Sequence, residues 1–388
     1  MHFLLTDDDM MLDRSSLIYA IALRDLYSSR PHALRQLLKT YSQPEQAWDR
    51  IAQEGKSASI ERAKKEMDFI ERHRISTIYF YDDDYPKLLR ECPDAPVLLF
   101  MKGNVNLHDG HFVSIVGTRQ ASERGKMLTR EIILSLAERL PKLTIISGLA
   151  YGIDIAAHRA AMEIGIPTLI IPAHGLDRIY PPLHRNDAVR ALEKGGIVTE
   201  YLSGTTPEKY NFVARNRIIA GLAECTVVVE SREHGGALIT AGFAADYNRS
   251  VFAVPGRVTD DNSAGCNMLI REQRAILLQK PEDLLREMNW QPLYSLQTAI
   301  DLSDGENPEP LAANTAASSG SVSSSAAEAA LSEEEKMLLG LVRQADDGMT
   351  ANDLAEETQL PFSRICSTLM LLEVKKLVRS FPGGLFRA

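Results

Sequence analysis

The chain has 388 residues, 45% of them hydrophobic and 24% charged, with a formal net charge of −9 at pH 7. That length leaves room for about two or three domains with cores of their own. No apolar run reaches the roughly 18 residues a membrane span needs, and MHFLLTDDDMMLD at the N-terminus carries acids where a secretory signal carries bases, so a mature cytoplasmic protein is expected.

The acidity is uneven: residues 1–110 carry −3, residues 111–290 carry +1 and residues 291–388 carry −7. A near-neutral middle argues against a long electrostatic track and for a compact site. Cys92, Cys225, Cys266 and Cys366 are scattered, with no CxxC and no histidine set beside them, which argues against a metal site and a disulfide framework.

Taken in chain order, residues 1–77 place apolar side chains at helical spacing (Leu17, Ile18, Ala20, Ile21; Leu34, Leu37, Leu38; Trp48, Ile51), interrupted at Ser42-Gln43-Pro44. A small helical domain is predicted there. Residues 78–104 then give extended segments with proline breaks. From 111 to 279 short apolar, β-branched runs recur: FVSIVG (112–117), LTIISG (143–148), TLIIPA (168–173), GIVTEY (196–201), CTVVVES (225–231), SVFAVPG (250–256) and AILLQ (275–279). Helix-length stretches separate most of them. Such alternation predicts an α/β fold, a Rossmann-like doubly wound parallel sheet with helices on both faces, within a core of residues 78–290.

Residues 291–330 contain SDGENPEP and AANTAASSGSVSSSAAEAA, which offer too little apolar surface to offset ordering entropy and read as a flexible linker. Residues 331–388 recover a pattern of three helices and a Gly-centred hairpin, the outline of a winged-helix domain. Its net charge of −2 is low for a groove reader, so a protein-docking role stands level with DNA binding.

Two strand ends carry loops suited to anions, Gly117-Thr118-Arg119 and Ser147-Gly148-Leu149-Ala150-Tyr151-Gly152. In a parallel sheet both fall at the carboxyl edge, where glycines admit close approach and helix N-terminal amides attract phosphate. Arg119 adds a forked donor. Neither loop is GxGxxG and no acid follows to hold a ribose, so no dinucleotide cofactor is expected.

In YNFVARNRIIAGL (210–222), read as helical from 212, Asn216 shares a stripe with Phe212, Ile219 and Ala220. Arg215 and Arg217 lie about 200° apart on such a helix and cannot both face one ligand unless it starts late; surface arginines with a satisfied core Asn remain the alternative. Gly235-Gly236 opens a further helix, with Thr240 one turn in. Acid/base candidates are few. Asp154 and His158 are spaced to pair on a helix surface beside Arg159; Asp177, Glu200 and Glu230 sit at strand ends or loops; His174, His184 and His234 are lone loop histidines. Glu230 is the acid that could activate water in a hydrolase.

Together these segments resemble the DNA-processing protein A family (DprA, also called Smf): YPKLLRECPDAPVLLFMKGN, SIVGTRQASERG, IISGLAYGIDIAAHRAAM, GLDRIYPPLHR, NFVARNRIIAGLAECTVVVES, GALITAGFAA, VFAVPG and AGCNMLI, in that order. The resemblance runs from 78 to about 285 and extends less specifically to both flanking domains. It implies a non-catalytic homodimer that binds single-stranded DNA and loads the recombinase RecA during natural transformation. The implied DNA site comprises Gly117, Thr118, Arg119, Ser147, Gly148, Leu149, Ala150, Gly152, Asn211, Arg215, Asn216, Arg217, Gly235, Gly236 and Thr240. Dimer contacts are implied within 240–275. Leu202 stands where the family commonly has proline, and Arg232-Glu233-His234 is bulkier than its usual small-residue run. The rival readings are a nucleotide N-glycosidase of the lysine-decarboxylase-like kind, with Glu230 as its acid, and a winged-helix regulator.

Overall fold

The computed structural model describes residues 12–290 other than 29, 42 and 53, together with 333–387 apart from 346–347, 359, 361–363, 366–367, 370–371, 374, 376 and 382–384. The chain divides into two compact units, 1–306 and 307–388. The expected linker, 291–330, lies outside the described residues.

The first unit opens with four helices, α1 (Arg14–Leu26), α2 (Pro31–Thr40), α3 (Pro44–Arg50) and α4 (Lys56–His73). Asp13 caps α1, accepting from the Ser16 amide at 2.7 Å, and prolines begin α2 and α3, where a missing N–H costs nothing. Their apolar faces bury Leu17, Ile21, Leu34, Trp48 and Met67 against Tyr79, Val97, Leu98, Phe100 and Leu202. The helices therefore share a core with one edge of the sheet.

That sheet has nine strands: β1 (Ser76–Tyr79), β2 (Leu98–Gly103), β3 (His111–Val116), β4 (Leu143–Ser147), β5 (Thr168–Ile170), β6 (Gly196–Thr199), β7 (Cys225–Val228), β8 (Ser250–Ala253) and β9 (Ile276–Leu277), in the order β1-β2-β6-β5-β4-β3-β7-β8-β9. From β6 to β9 every neighbouring pair is parallel, as the apolar runs predict. The extended segments of 78–104 form an antiparallel edge of the sheet. A short helix, α5 (Lys87–Arg90), turns the chain, and β2 pairs antiparallel with both β1 and β6.

Successive residues of β3 feed opposite cores. Phe112 and Val116 join the cluster covered by α9 (Lys209–Leu222), α10 (Gly236–Asp246) and α11 (Ala264–Arg271). Val113 and Ile115 join the one covered by α6 (Glu123–Arg139), α7 (Ile153–Ile164) and α12 (Pro281–Glu287). Two-sided burial is why these strands read as continuous apolar runs. The remaining helix, α8 (Arg185–Ala191), follows a single 3-10 turn.

In the second unit, α13 (Glu333–Gln344) and α14 (Ala351–Thr358) pack with a three-stranded antiparallel sheet, β10 (Met349–Thr350), β12 (Leu385–Arg387) and β11 (Arg379–Phe381). Leu338, Leu354, Ile365, Leu369 and Leu372 form its core. The turn expected at Gly383-Gly384 lies outside the described residues, as does part of the third helix.

Candidate functional site

The strand order reverses at β3, with β4 on one side and β7 on the other, and the carboxyl ends there open into a cavity of about 870 Å³. Open α/β sheets bind ligands at such reversal points. One wall is Gly117, Thr118 and Arg119 after β3; a second is Ala150 and Asp154 after β4; α9 supplies Phe212, Arg215 and Asn216; residues 232–237 and Thr240 close the rim.

Local contacts hold the loops in place. Ser122 caps α6 by accepting from the Gly125 amide at 2.9 Å. Glu230, after β7, accepts from the Ser122 amide at 2.9 Å and from its hydroxyl. This buried carboxylate ties the β7 loop to the start of α6, so Glu230 is a structural clasp and not a group free to activate water. Gly152 has φ of 79°, and a side chain there would overlap the Thr118 carbonyl, which brings the two anion loops together. Gly148 lies beneath Arg215, whose guanidinium fills the space a Cβ would need.

Arg215 dominates the electrostatics. It is 3% exposed, and its Nε and Nη1 have no hydrogen-bond partner. Burial pulls its pKa down to about 10, which still leaves it protonated at neutral pH. Burial likewise raises the Asp154 pKa, against the opposing pull of Arg215. A buried cation with unmet donors is costly unless something anionic reaches it. Arg119 lies over the Phe212 ring at 5.1 Å, and Phe212 is 5.8 Å from the Tyr180 ring, so one lip combines charge with aromatic surface. Opposite, α10 begins without a side-chain cap, leaving first-turn amides toward the cavity at Gly236 and Ala237. A Cβ on Gly236 would meet nothing within 4 Å. The arrangement has the chemistry to receive an anion beside a stacking surface.

Of the residues expected at the site, Gly117, Thr118, Arg119, Ala150, Arg215, Asn216, Gly235, Gly236 and Thr240 meet around this cavity. The others do not. The Ser147 hydroxyl donates to the Ile115 carbonyl at 2.6 Å and joins β4 to β3. Gly148 and Gly152 shape the second layer. Leu149, at φ 69°, buries its side chain with Ile155 and Ile170 while its carbonyl meets His184 Nδ1 at 2.9 Å. Asn211 and Arg217 lie across α9, where Asn211 donates to the Thr206 carbonyl at 3.1 Å and Arg217 grips Glu200 at 2.7 Å and 2.8 Å. Neither arginine of α9 is on the surface: the alternative of solvated side chains fails for both. Lys209 and Phe212 escaped the sequence reading as site residues because the helix starts at 209, three residues earlier than expected. The 209, 212, 216, 219 spacing was the available signal.

Residues 76–289 match the family described as DNA recombination-mediator protein A, and residues 322–384 match the DprA winged helix domain. The chain belongs to the DNA recombination-mediator protein A family. It is 40% identical to the DNA processing protein DprA of Streptococcus pneumoniae over 220 residues, 57% of this chain and 77% of that protein. It is 32% identical to protein Smf of Escherichia coli over 305 residues, 78% of this chain and 75% of that protein. The X-ray structure of DprA from Streptococcus pneumoniae aligns with a TM-score of 0.60 at 33% identity, covering 70% of this chain and 97% of that one.

The acid/base candidates of this family member are largely structural. His158 does not pair with Asp154 on a helix surface; both are buried. Thr168 gives its one hydroxyl proton to the Ile145 carbonyl at 3.0 Å, so His158 Nδ1, at 2.7 Å, must be the donor to Thr168 Oγ1. Nε2 is buried without a partner, and a second proton there would be stranded; burial pulls the pKa down to about 3. The unfolded chain protonates near 6.5 and the folded one does not, so stability is lost as pH falls below about 6.5. Between pH 7.5 and 5 this group alone should remove about 2 kcal/mol. In a His158→Asn variant that part of the acid loss should vanish, as urea unfolding at the two pH values would show. Arg159 pairs with Asp187 at 2.9 Å. His174 and His184 meet backbone carbonyls, and His234 lies at the cavity rim. Among the described residues, no helix is long and apolar enough to cross a membrane.

Proposed function

We propose that the cavity at the strand reversal holds the phosphate backbone of single-stranded DNA, and that the protein acts by binding and handing over the strand rather than by catalysis. The observation that carries this reading is Arg215, a buried cation with two nitrogens, Nε and Nη1, lacking partners beside the glycine-lined loops. The half-buried Phe212 ring under Arg119 and the exposed Tyr180 ring beside it suit unpaired bases, whose faces a duplex hides. In the same reading the chain is a cytoplasmic homodimer joined through residues 240–275 that delivers DNA to RecA in transformation and recombination, as the family resemblance implies.

A gel-shift comparison of single- and double-stranded oligonucleotides tests the first step. Preference for the single strand is expected. About three phosphate contacts give a log–log salt slope near −2. Arg119→Ala should weaken binding about tenfold for every sequence, the scale of one charge-assisted hydrogen bond, and flatten the slope by about 0.7. Unchanged affinity in that variant would remove the assignment. The later step is read as RecA filament growth on single strands with and without the protein.

A further inference from the structure

A second cavity, of about 360 Å³, lies on the other side of α9, between the N-terminal helices and the sheet. It is lined by Arg24, Arg62, Tyr201, Tyr210, Asn211 and Arg217 among others. Arg62 is paired with Asp25 at 2.8 Å and Arg217 with Glu200 at 2.7 Å, while Arg24 lies over the Tyr201 ring at 5.6 Å. Arg217 is 7% exposed and keeps one nitrogen, Nη1, without a partner. Tyr210 is 74% exposed. Arginine and tyrosine together make a surface for phosphate and base, the combination that tracks unpaired strands.

The two cavities meet at one helix end. Lys209 and Phe212 line the first, Tyr210 and Asn211 the second. Between them is the start of α9, whose amides have no side-chain cap, with Glu208 at the cap position. A helix is about 10 Å across, a gap that a few nucleotides of one strand can bridge.

We infer that a strand leaving the first cavity crosses the N-terminus of α9 and places further nucleotides in the second, with Tyr210 as a stacking platform and Arg24 as a phosphate contact. This rests on the strand-binding reading above. It gives the helical segment a part in setting the length of DNA engaged, because Arg24 comes from α1.

The test uses the full chain and fluorescence anisotropy with two labelled oligothymidylates, one of about five nucleotides and one of about twelve, lengths within the range of single-strand site sizes. Tyr210→Ala and Arg24→Gln are each expected to weaken the longer oligomer about tenfold and leave the shorter unchanged. Tyr210 is exposed enough that its replacement tests binding without unfolding the chain. Equal losses at both lengths, or no loss at either, would overturn the inference. Arg119→Ala is the companion measurement. It should weaken both lengths; if it weakens neither, the first cavity is not the binding site and the underlying reading fails as well.

Discussion

An Arg217→Met variant is expected to unfold about 3–5 kcal/mol more easily than the parent chain while its folded fraction still binds short single strands. The reason is what remains behind. Glu200 is as buried as Arg217, each side chain 9% exposed, and both carboxylate oxygens face the same guanidinium nitrogen. Removing the cation leaves an anion in a dry environment with its main partner gone. Replacing both residues by methionine should recover most of the loss, since two apolar side chains need no mutual compensation. Urea unfolding of the two single variants and the double variant measures this. A single-variant loss under about 1 kcal/mol, or a short-strand affinity that falls with stability, would show that Arg217 has another role.

Arg215→Met should do the opposite at acid pH, with little change in stability there, but it should lose single-strand affinity by about 2 kcal/mol, roughly thirtyfold. No carboxylate grips Arg215 as Glu200 grips Arg217, and two of its nitrogens already lack partners. Deleting it removes a desolvated cation and leaves Asp154 as the altered neighbour. Burial already raises the Asp154 pKa above its usual 3.8, and losing the arginine raises it further. A carboxyl that holds its proton more tightly when folded costs stability as pH rises from the unfolded value through the folded one. The variant should therefore show a steeper decline above pH 4 than the parent. Titration by fluorescence anisotropy, with unfolding followed at several pH values, separates the two effects. Parental affinity in this variant would mean that phosphate is held elsewhere.

The contrast between these arginines shows what the amino-acid sequence could disclose. Their separation of about 200° was readable from helix geometry, and the structure sends them to opposite sides of α9. Which side faces the strand-reversal cavity was not readable, because that depends on Glu200 and the N-terminal helices, both distant in the chain. The glycines after β3, β4 and β7 were legible as backbone approach points. Their division into cavity rim and supporting layer was not: Gly148 is there to clear the Arg215 guanidinium, a contact that exists only after folding. The parallel strands announced themselves through two-sided burial. The antiparallel edge at β2 did not, because a strand with a proline-broken approach carries no sign of its partner's direction.

The reversal point has one more consequence. Its walls come from β3 and β4 on one side and from α9 and the loop after β7 on the other, segments about a hundred residues apart in the chain. A ligand seated there touches both halves of the doubly wound layer, so occupancy should stitch them together. At a concentration near a hundred times its dissociation constant it would add about 2.7 kcal/mol to the native state. A higher melting temperature and slower amide exchange along the central strands would then report on cargo without any label on the cargo itself.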